Sequence, residues 1–272
     1  MPGDLEGSPA LTFAPLDTQS DIKAPKGSLL AMMERRYEAY KSIVARPFFR
    51  EHFARLDRQI VLVDALSAVN RGPEALADLE QALSDVLTCF RPGANSFLSA
   101  LVSRRIDRVL VAATKADHLH HESHDRLERI TRRLVERAID RVGMAGASID
   151  VLALASVRAT REAVVEREGE NLPVIVGTPM QGEMINAESF DGKKKTAIFP
   201  GDLPTDPELL FQGVESSAGP TDAGTRQPEW PQINIVRFRP PEIAEQTGGI
   251  NIAIPHIRMD RALQFLIGDH LA

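Results

Sequence analysis

The chain has 272 residues and a formal net charge of −6, with 43% hydrophobic and 26% charged residues. This composition is typical of a globular protein, and the acidic balance argues against a general binder of nucleic acids or anionic membranes. One cysteine, no signal-peptide pattern and no run near the roughly 18 apolar residues of a membrane span predict a cytoplasmic protein without a disulfide or a membrane span.

Residues 1–56 are expected to form an irregular lead-in followed by a helical segment. Residues 1–27 are rich in Pro, Gly, Asp and Ser, which favour turns over regular structure. From Ser28 onwards apolar residues recur at three- and four-residue spacing, which is the period of an amphipathic helix. Pro47 lacks a backbone donor and is expected to divide this helix in two.

Three strand patterns with helical patterns between them predict a parallel sheet. Apolar runs at 59–64, 107–114 and 148–156 are long enough for buried strands. Helical periodicity follows the first run from Pro73 to the break at Arg91, and further helical patterns occur at 96–105 and 123–142. Strands and helices that alternate at this spacing indicate right-handed crossovers and an α/β fold.

The pattern changes to a β-rich one after Val157. Strand patterns occur at 159–166, 173–178, 195–199 and 233–239, and the first two predict a hairpin. Residues 200–231 are dense in Pro, Gly, Asp, Thr and Ser, which predicts a long loop with no regular element. An amphipathic helix from about Arg258 to Leu271 closes the chain.

The second strand ends in the tetrad Thr114-Lys115-Ala116-Asp117, a form of the pattern by which some P-loop NTPases recognise guanine. Guanine presents N1–H and N2–H2 as adjacent donors, and a fixed carboxylate such as Asp117 can accept from both. The stem of Lys115 would cover one face of the base, and Thr114 would tie the loop to its neighbours. The alternative is an ordinary exposed turn between a strand and a helix, in which these residue types are common.

The third strand ends in Ala155-Ser156-Val157, which provides a second candidate element of the same site. Ligands of open α/β sheets bind beyond the carboxyl ends of the strands, where backbone N–H groups of this loop would meet guanine O6. The alternative is a plain strand end. We therefore predict a base-binding site and no catalytic residue, with the candidate residues Thr114, Lys115, Asp117, Ser156 and Val157.

Two other groups of polar residues are not assigned to a site. Asp64 follows four apolar residues and so imitates a magnesium-binding aspartate, but no Asp-x-x-Gly follows it. The histidines cluster at 118–124, and His120 and His124 would share a helix face that can bind zinc. A helix that begins on the surface beside the base loop explains these histidines better, and we predict no metal site.

Four blocks of the sequence match a known family in the same order. They lie at 57–64, 112–118, 154–160 and 255–260, and the ending at 265–269 matches as well. These blocks resemble the YcjX-like family of bacterial, stress-associated P-loop NTPases, and the similarity spans nearly the whole chain. The resemblance implies a Ras-like fold and GTP or GDP as the ligand.

The chain also departs from the family pattern. Members are about twice as long, and their phosphate loop and Asp-x-x-Gly switch lie in the N-terminal half, which residues 1–58 do not match. Met1 is therefore expected to begin inside the family sequence. The resemblance assigns strands 4, 5 and 6 of a Ras-like sheet to this chain, with the last helix and a β-rich insertion. Strand 59–64 would then have an open edge, where an N-terminal partner chain or a second copy could pair.

The sequence thus predicts the guanine-binding portion of an NTPase. The expected parts are the lead-in 1–56, the nucleotide-binding half 57–157 with 256–272, and the insertion 158–255. Hydrolysis by the chain alone is not expected, because phosphoryl transfer depends on positioned and neutralised phosphates, and Mg²⁺ would bind only with the missing half. One alternative is a non-enzymatic interaction module with a vestigial tetrad. Another is an unrelated α/β protein in which the tetrad is coincidental.

Overall fold

The computed structural model of the chain describes residues 14, 16, 24–52, 56–88, 107–142, 148–167, 169–216, 230–241 and 254–271. The chain divides into two compact units, residues 1–57 with 92–105 and residues 58–91 with 106–272. None of the helices within these described ranges is long and apolar enough to cross a membrane. The helical pattern at 96–105 lies outside the described residues.

The first unit contains a helical segment with an interruption. Helix α1 spans Leu29–Tyr40, a π-helical turn spans Lys41–Ala45, and α2 spans Arg46–Glu51. The hydroxyl of Ser28 accepts a hydrogen bond from the backbone N–H of Ala31 at 3.2 Å and so caps α1. Pro47 lies in the first turn of α2. The helical run is divided by the π-helical turn Lys41–Ala45, so the predicted break at Pro47 itself is wrong.

The second unit is built on a three-stranded parallel sheet. Strand β1 spans Arg58–Val63, β2 spans Arg108–Ala113 and β3 spans Ser148–Ala153, in the order β1-β2-β3. The register is fixed along the whole length, so that Val63, Ala113 and Ala153 end the three strands side by side. The predicted α/β architecture with a parallel sheet is confirmed, and the carboxyl ends of the strands share one edge.

Three helices follow β1 and β2 in the chain. Helix α3 spans Ala65–Arg71, α4 spans Pro73–Thr88 and α5 spans His124–Val142. Helix α5 contacts β2 and β3, and it also packs against α4. The sequence did not predict α3, which is a short helix that begins directly after β1.

The opposite face of the sheet is covered by the last helix, α7, which spans Met259–Ile267. Ala262 of α7 is buried against alternate residues of two strands, Leu110 and Ala112 in β2 and Leu152 in β3. It also packs with Leu154, which follows β3 directly. On the same face of β1, Ile60 pairs in register with Leu110 and Leu62 pairs with Ala112. Yet Ile60 is 43% exposed and Leu62 is 64% exposed, so the cover does not extend over β1.

The end of the chain is attached to the start of the sheet by a bidentate ion pair. The two guanidinium nitrogens of Arg58 lie 2.5 and 2.7 Å from the carboxylate oxygens of Asp269. Arg108 Nη2 approaches the same carboxylate at 3.2 Å. The hydrogen bonds from Arg58 lower the pKa of Asp269 to about 2, so this carboxylate stays charged well below its ordinary range.

The β-rich part forms two small antiparallel sheets. Strands β4 (Arg161–Arg167) and β5 (Glu170–Gly177) form the predicted hairpin, and β8 (Thr196–Ile198) pairs with β5. Strands β6 (Met184–Ile185) and β7 (Glu188–Ser189) form a separate pair. A hydrophobic cluster under the larger sheet contains Ile175, Ile198, Val236 and Phe238.

Two predictions for this part are wrong. The range 200–231 contains helix α6, Glu208–Ser216, which is held in place because Leu210 and Phe211 are almost fully buried. The predicted strand at 233–239 is an extended segment with one antiparallel bridge, between Phe238 and Pro179. It does not become a strand because its pairing with residues 178–180 does not continue into a ladder.

The β-rich part leaves and rejoins the sheet at one place. Ala155 and Ile257 exchange two backbone hydrogen bonds, of 3.2 and 2.8 Å, in an antiparallel bridge. The N–H of Arg158 also donates to the carbonyl of Pro255 at 2.7 Å. The segment around Phe238 is held by its bridge to Pro179 and by its packing against Ile175, Ile198 and Val236.

Candidate functional site

A cavity of about 530 Å³ opens at the carboxyl edge of the parallel sheet. The volume falls within the range of small-molecule sites in proteins, roughly 300–1,000 Å³. Its lining includes all five residues that the sequence analysis singled out, Thr114, Lys115, Asp117, Ser156 and Val157. The fold therefore brings the ends of β2 and β3 together around one space.

The loop that begins at Thr114 is fixed to both neighbouring strands. The Thr114 N–H donates to the carbonyl of Val63 at 2.8 Å, and its hydroxyl donates to the same oxygen at 3.2 Å. The N–H of Ala116 donates to the carbonyl of Leu154 at 3.2 Å. The tetrad thus continues the sheet pairing beyond the last strand residue, and Thr114 makes the tie to β1 that the sequence suggested.

Lys115 adopts a left-handed backbone conformation, with φ 64° and ψ 32°. This conformation costs a non-glycine residue on the order of 1 kcal/mol and persists only where its surroundings hold it. The backbone bonds of Thr114 and Ala116 hold it on either side. Its ammonium lies 2.5 Å from Oδ2 of Asp64 and 3.3 Å from the hydroxyl of Ser67.

Asp64 connects this loop to helix α3. Its Oδ1 accepts from the backbone N–H of Ser67 at 3.1 Å, which caps the helix, and its Oδ2 accepts from the Ser67 hydroxyl at 2.8 Å. Partial burial raises the pKa of Asp64, but the hydrogen bonds from Lys115 and Ser67 outweigh burial and leave the pKa below its ordinary value. Both carboxylate oxygens therefore have protein partners, and the group is an ionised helix cap.

Asp117 is 5% exposed and lies in a 3-10 turn, Ala116–His118. Its Oδ2 accepts from the backbone N–H of Ala159 at 2.9 Å. Its main-chain oxygen accepts from the hydroxyl of Thr160, a buried side chain. These two bonds fix the carboxylate against the loop that follows β3, which orients it before any ligand arrives.

The other wall of the cavity comes from the β-rich part. Phe238 and Pro240 line it, and the rings of Phe238 and His118 meet edge to face with centroids 5.3 Å apart. Burial lowers the pKa of His118 and outweighs the opposite effect of Asp117, so the neutral imidazole is favoured. A Cβ atom added at Gly177 would lie 2.6 Å from Cδ1 of Phe238, so only glycine leaves room for the ring.

The site residues predicted from the sequence do not include Ala159, Thr160, His118 or Phe238. Ala159 and Thr160 could have been found, because they follow directly on the third strand end. Phe238 could not, because its approach depends on its bridge to Pro179 and on packing against Ile175 and Ile198, which are distant in sequence. Ser156 and Val157 are exposed at the mouth of the cavity, where a loop that meets a ligand is expected to lie.

The histidine cluster differs from its expected arrangement. His120 and His124 are each 4% exposed, so the prediction of a surface role is wrong for both. Helix α5 begins only at His124, after a 3-10 turn at His121–Ser123, and His120 does not share its face. His124 Nε2 lies 2.9 Å from the carbonyl oxygen of Ala116, and burial lowers the pKa of His124.

Comparison with known proteins gives one consistent result. The model of the YcjX-like family, DUF463, matches residues 1–271 of this chain. A protein of Escherichia coli K12 named Ras-like GTPase YcjX is 34% identical over 277 residues, and one of the same name from Shewanella oneidensis is 30% identical over 278 residues. Both alignments cover 100% of this chain but only 53% and 52% of those proteins. The chain spans about half the length of the curated relatives it matches.

Proposed function

This chain belongs to the YcjX-like family, and we propose that it forms the base-binding side of a guanine-nucleotide site. The observation that carries the proposal is the buried carboxylate of Asp117, which is fixed by Ala159 in the wall of a cavity. The printed names of the relatives, which describe Ras-like GTPases, support guanine as the base.

The proposed seating of the base follows from the donors and acceptors at the cavity. Asp117 accepts from guanine N1–H and N2–H2, while backbone N–H groups of Ser156 and Val157 face O6. The Lys115 stem covers one face of the base, and Phe238 closes the cavity on another side. Adenine is disfavoured because its N1 is an acceptor that would meet the carboxylate of Asp117.

Under this proposal the chain binds nucleotide weakly and does not turn it over by itself. The full sequence has no Gly-x4-Gly-Lys-[Ser/Thr] loop, which in P-loop NTPases surrounds the phosphates with backbone N–H groups. Asp64 is engaged in capping α3 and in pairing with Lys115. Without phosphate contacts, the attacking water and the transferred phosphoryl group are not positioned, and the sequence lacks the loop that would help to hold Mg²⁺ against the phosphates of a bound nucleotide.

The test is a titration of the purified chain with a fluorescent GDP analogue. Asp117→Ala should abolish the binding, while Asp78→Ala, which removes an exposed aspartate from α4, should leave it unchanged. Unlabelled GDP should displace the probe and ADP should not. Equal binding by the wild-type chain and Asp117→Ala would refute the proposal, as would equal displacement by the two nucleotides. GTP turnover by the wild-type chain would refute the proposal that the chain does not hydrolyse nucleotide by itself.

A second candidate function rests on the uncovered side of the sheet. Within the described residues β1 pairs only with β2, and its apolar side chains Ile60 and Leu62, which also line the cavity, are 43% and 64% exposed. An open edge with apolar neighbours favours pairing with another chain. We propose as its occupant a polypeptide that corresponds to the half of the relatives which this chain does not match. In this role the chain is an interaction module, whether or not it binds a nucleotide.

This role can be tested by co-purification with the unmatched half of the E. coli relative. Leu62→Lys should prevent the association, while Leu209→Lys, which alters a 41% exposed leucine on α6, should not. A dimer of this chain in sedimentation, lost in Leu62→Lys, would identify a second copy as the occupant instead. A monomer that captures nothing would eliminate the interaction proposal and leave the nucleotide titration unaffected.

A further inference from the structure

The turn that precedes α5 places three metal-binding side chains together. His120, His121 and Glu122 offer ligand atoms that all lie within 4.8 Å of one another. The two imidazole rings have centroids 4.3 Å apart, and Nδ1 of His120 lies 3.9 Å from Oε1 of Glu122. Two imidazole nitrogens and a carboxylate oxygen are a donor set that zinc and related divalent metals prefer.

His120 provides an independent sign of a ligand. Its side chain is 5% exposed, and its Nδ1 is buried without a hydrogen-bond partner in the described part of the chain. The 3.9 Å separation from Glu122 is too long for a hydrogen bond. Because an unsatisfied buried polar atom is costly, a ligand that binds to Nδ1 of His120 would stabilise the fold.

His121 has the support that metal-bound histidines usually have. Its Nδ1 lies 2.6 Å from Oε2 of Glu162, and Glu162 is itself held by Arg158 Nη2 at 2.7 Å. A carboxylate that accepts from one imidazole nitrogen fixes the ring and its tautomer, which leaves Nε2 as the metal-binding atom. Glu162 lies in β4, so this contact also joins the turn to the β-rich part.

We propose that His120, His121 and Glu122 bind one divalent metal ion of the zinc type, with Glu162 supporting His121. Ligand atoms around tetrahedral zinc lie ~3.4 Å apart, so small side-chain rotations close the site from its present separations. His121 and Glu122 are each 63% exposed, which leaves the outer coordination position open to water. The ion would stiffen the turn that connects Asp117 to α5.

The test uses untagged chain in a Cys89→Ser background, treated with a chelator and titrated with Zn²⁺ by calorimetry and with Co²⁺ by visible absorption. We expect one ion per chain and a rise in the melting temperature with zinc. Glu122→Gln and His121→Ala should each weaken zinc binding at least about tenfold. His256→Gln removes an exposed histidine outside the group and should leave the affinity unchanged.

His120→Ala is expected to destabilise the fold because it empties a buried position, so the variants of the two exposed ligands decide the test. If Glu122→Gln and His121→Ala bind zinc as tightly as the wild-type chain, the proposal is wrong. Absence of one-to-one binding by the wild-type chain would also overturn it. These measurements contain no nucleotide, so their outcome does not depend on the guanine-binding proposal.

Discussion

The ammonium of Lys115 lies 2.5 Å from Oδ2 of Asp64, and this contact ties the end of β2 to the end of β1. The same carboxylate caps α3 through Ser67. The lysine that is proposed to cover the base is therefore positioned by a residue 51 places earlier in the chain, outside the tetrad. Changes at Asp64 should affect both the helix and the base-binding loop.

The two roles of Asp64 can be separated by comparing Asp64→Asn with Asp64→Ala. Asparagine caps helices well but lacks the charge, so Asp64→Asn should cost about 0.2–1 kcal/mol, the usual range of partly exposed ion pairs. Asp64→Ala should cost about 0.5–2 kcal/mol more, because the cap is also lost. Urea unfolding measures both values. Equal losses in the two variants would show that the cap contributes nothing.

Asp117→Asn should change the preferred base from guanine to xanthine. The N–H of Ala159 donates to Oδ2 of Asp117, so an asparagine would keep its oxygen there. Its amide nitrogen would then take the position that Oδ1 has in Asp117. Xanthine has an acceptor, O2, where guanine has the N2 amino group, and it matches this donor. Competition with GDP and xanthosine diphosphate measures the change. Retained preference for GDP in Asp117→Asn would contradict the assigned role.

Gly177→Ala should disturb the cavity wall by displacing Phe238. The added methyl group would lie 2.6 Å from Phe238 Cδ1 and 3.2 Å from Thr160 Cγ2, and overpacking of this kind costs about 1–3 kcal/mol. Phe238→Val in the same chain should recover part of the loss, because valine has neither the δ nor the ε carbon that clashes. Urea unfolding of the single and double variants tests this. Strictly additive losses would show that the two residues do not interact.

The sequence was sufficient for the sheet and for one side of the cavity. Long apolar runs predict buried strands directly, and the tetrad at Thr114–Asp117 is local in sequence, so its position at a strand end follows from the pattern. The wall at Phe238 and the pair of Lys115 with Asp64 depend on contacts between distant residues, which periodicity does not report. Helix α6 was missed because turn-forming residues flank a nine-residue element whose burial rests on Leu210 and Phe211.

The stability of the folded chain should fall as the pH falls below about 6.5. Burial lowers the pKa of His118 in the folded chain, so between 6.5 and that lowered value the unfolded chain binds a proton that the folded chain does not. The loss of stability begins as the pH passes below the pKa of His118 in the unfolded chain, and it levels off below the pKa of His118 in the folded chain. His118→Gln should reduce the slope, with the remainder carried by His124, whose pKa burial also lowers. Unfolding free energies between pH 8 and pH 5 measure the slope, and an unchanged slope would contradict the assignment.

Asp269→Asn should destabilise the attachment of the chain end to β1 and β2. The pKa of Asp269 is lowered from 3.8 to about 2, so its contribution is complete above 3.8 and is lost as the pH falls toward 2. The difference between wild type and Asp269→Asn should therefore be constant from pH 7 to pH 5 and shrink below pH 4. It should also shrink in 1 M salt, because the pair is exposed. A stability difference between wild type and Asp269→Asn that changes with neither pH nor salt would show that the ion pair does not contribute.

The bridge between Ala155 and Ile257 has a consequence for how the family can vary. The two ends of the β-rich part meet in the Ala155–Ile257 bridge and in the hydrogen bond from Arg158 to Pro255, so this part is closed at its base like a loop, whatever its length. Doubling the length of such a loop costs only about 0.6 kcal/mol in closure entropy. Relatives could therefore lengthen, shorten or exchange this part without altering the strands below it, and they would replace one wall of the cavity each time they did so.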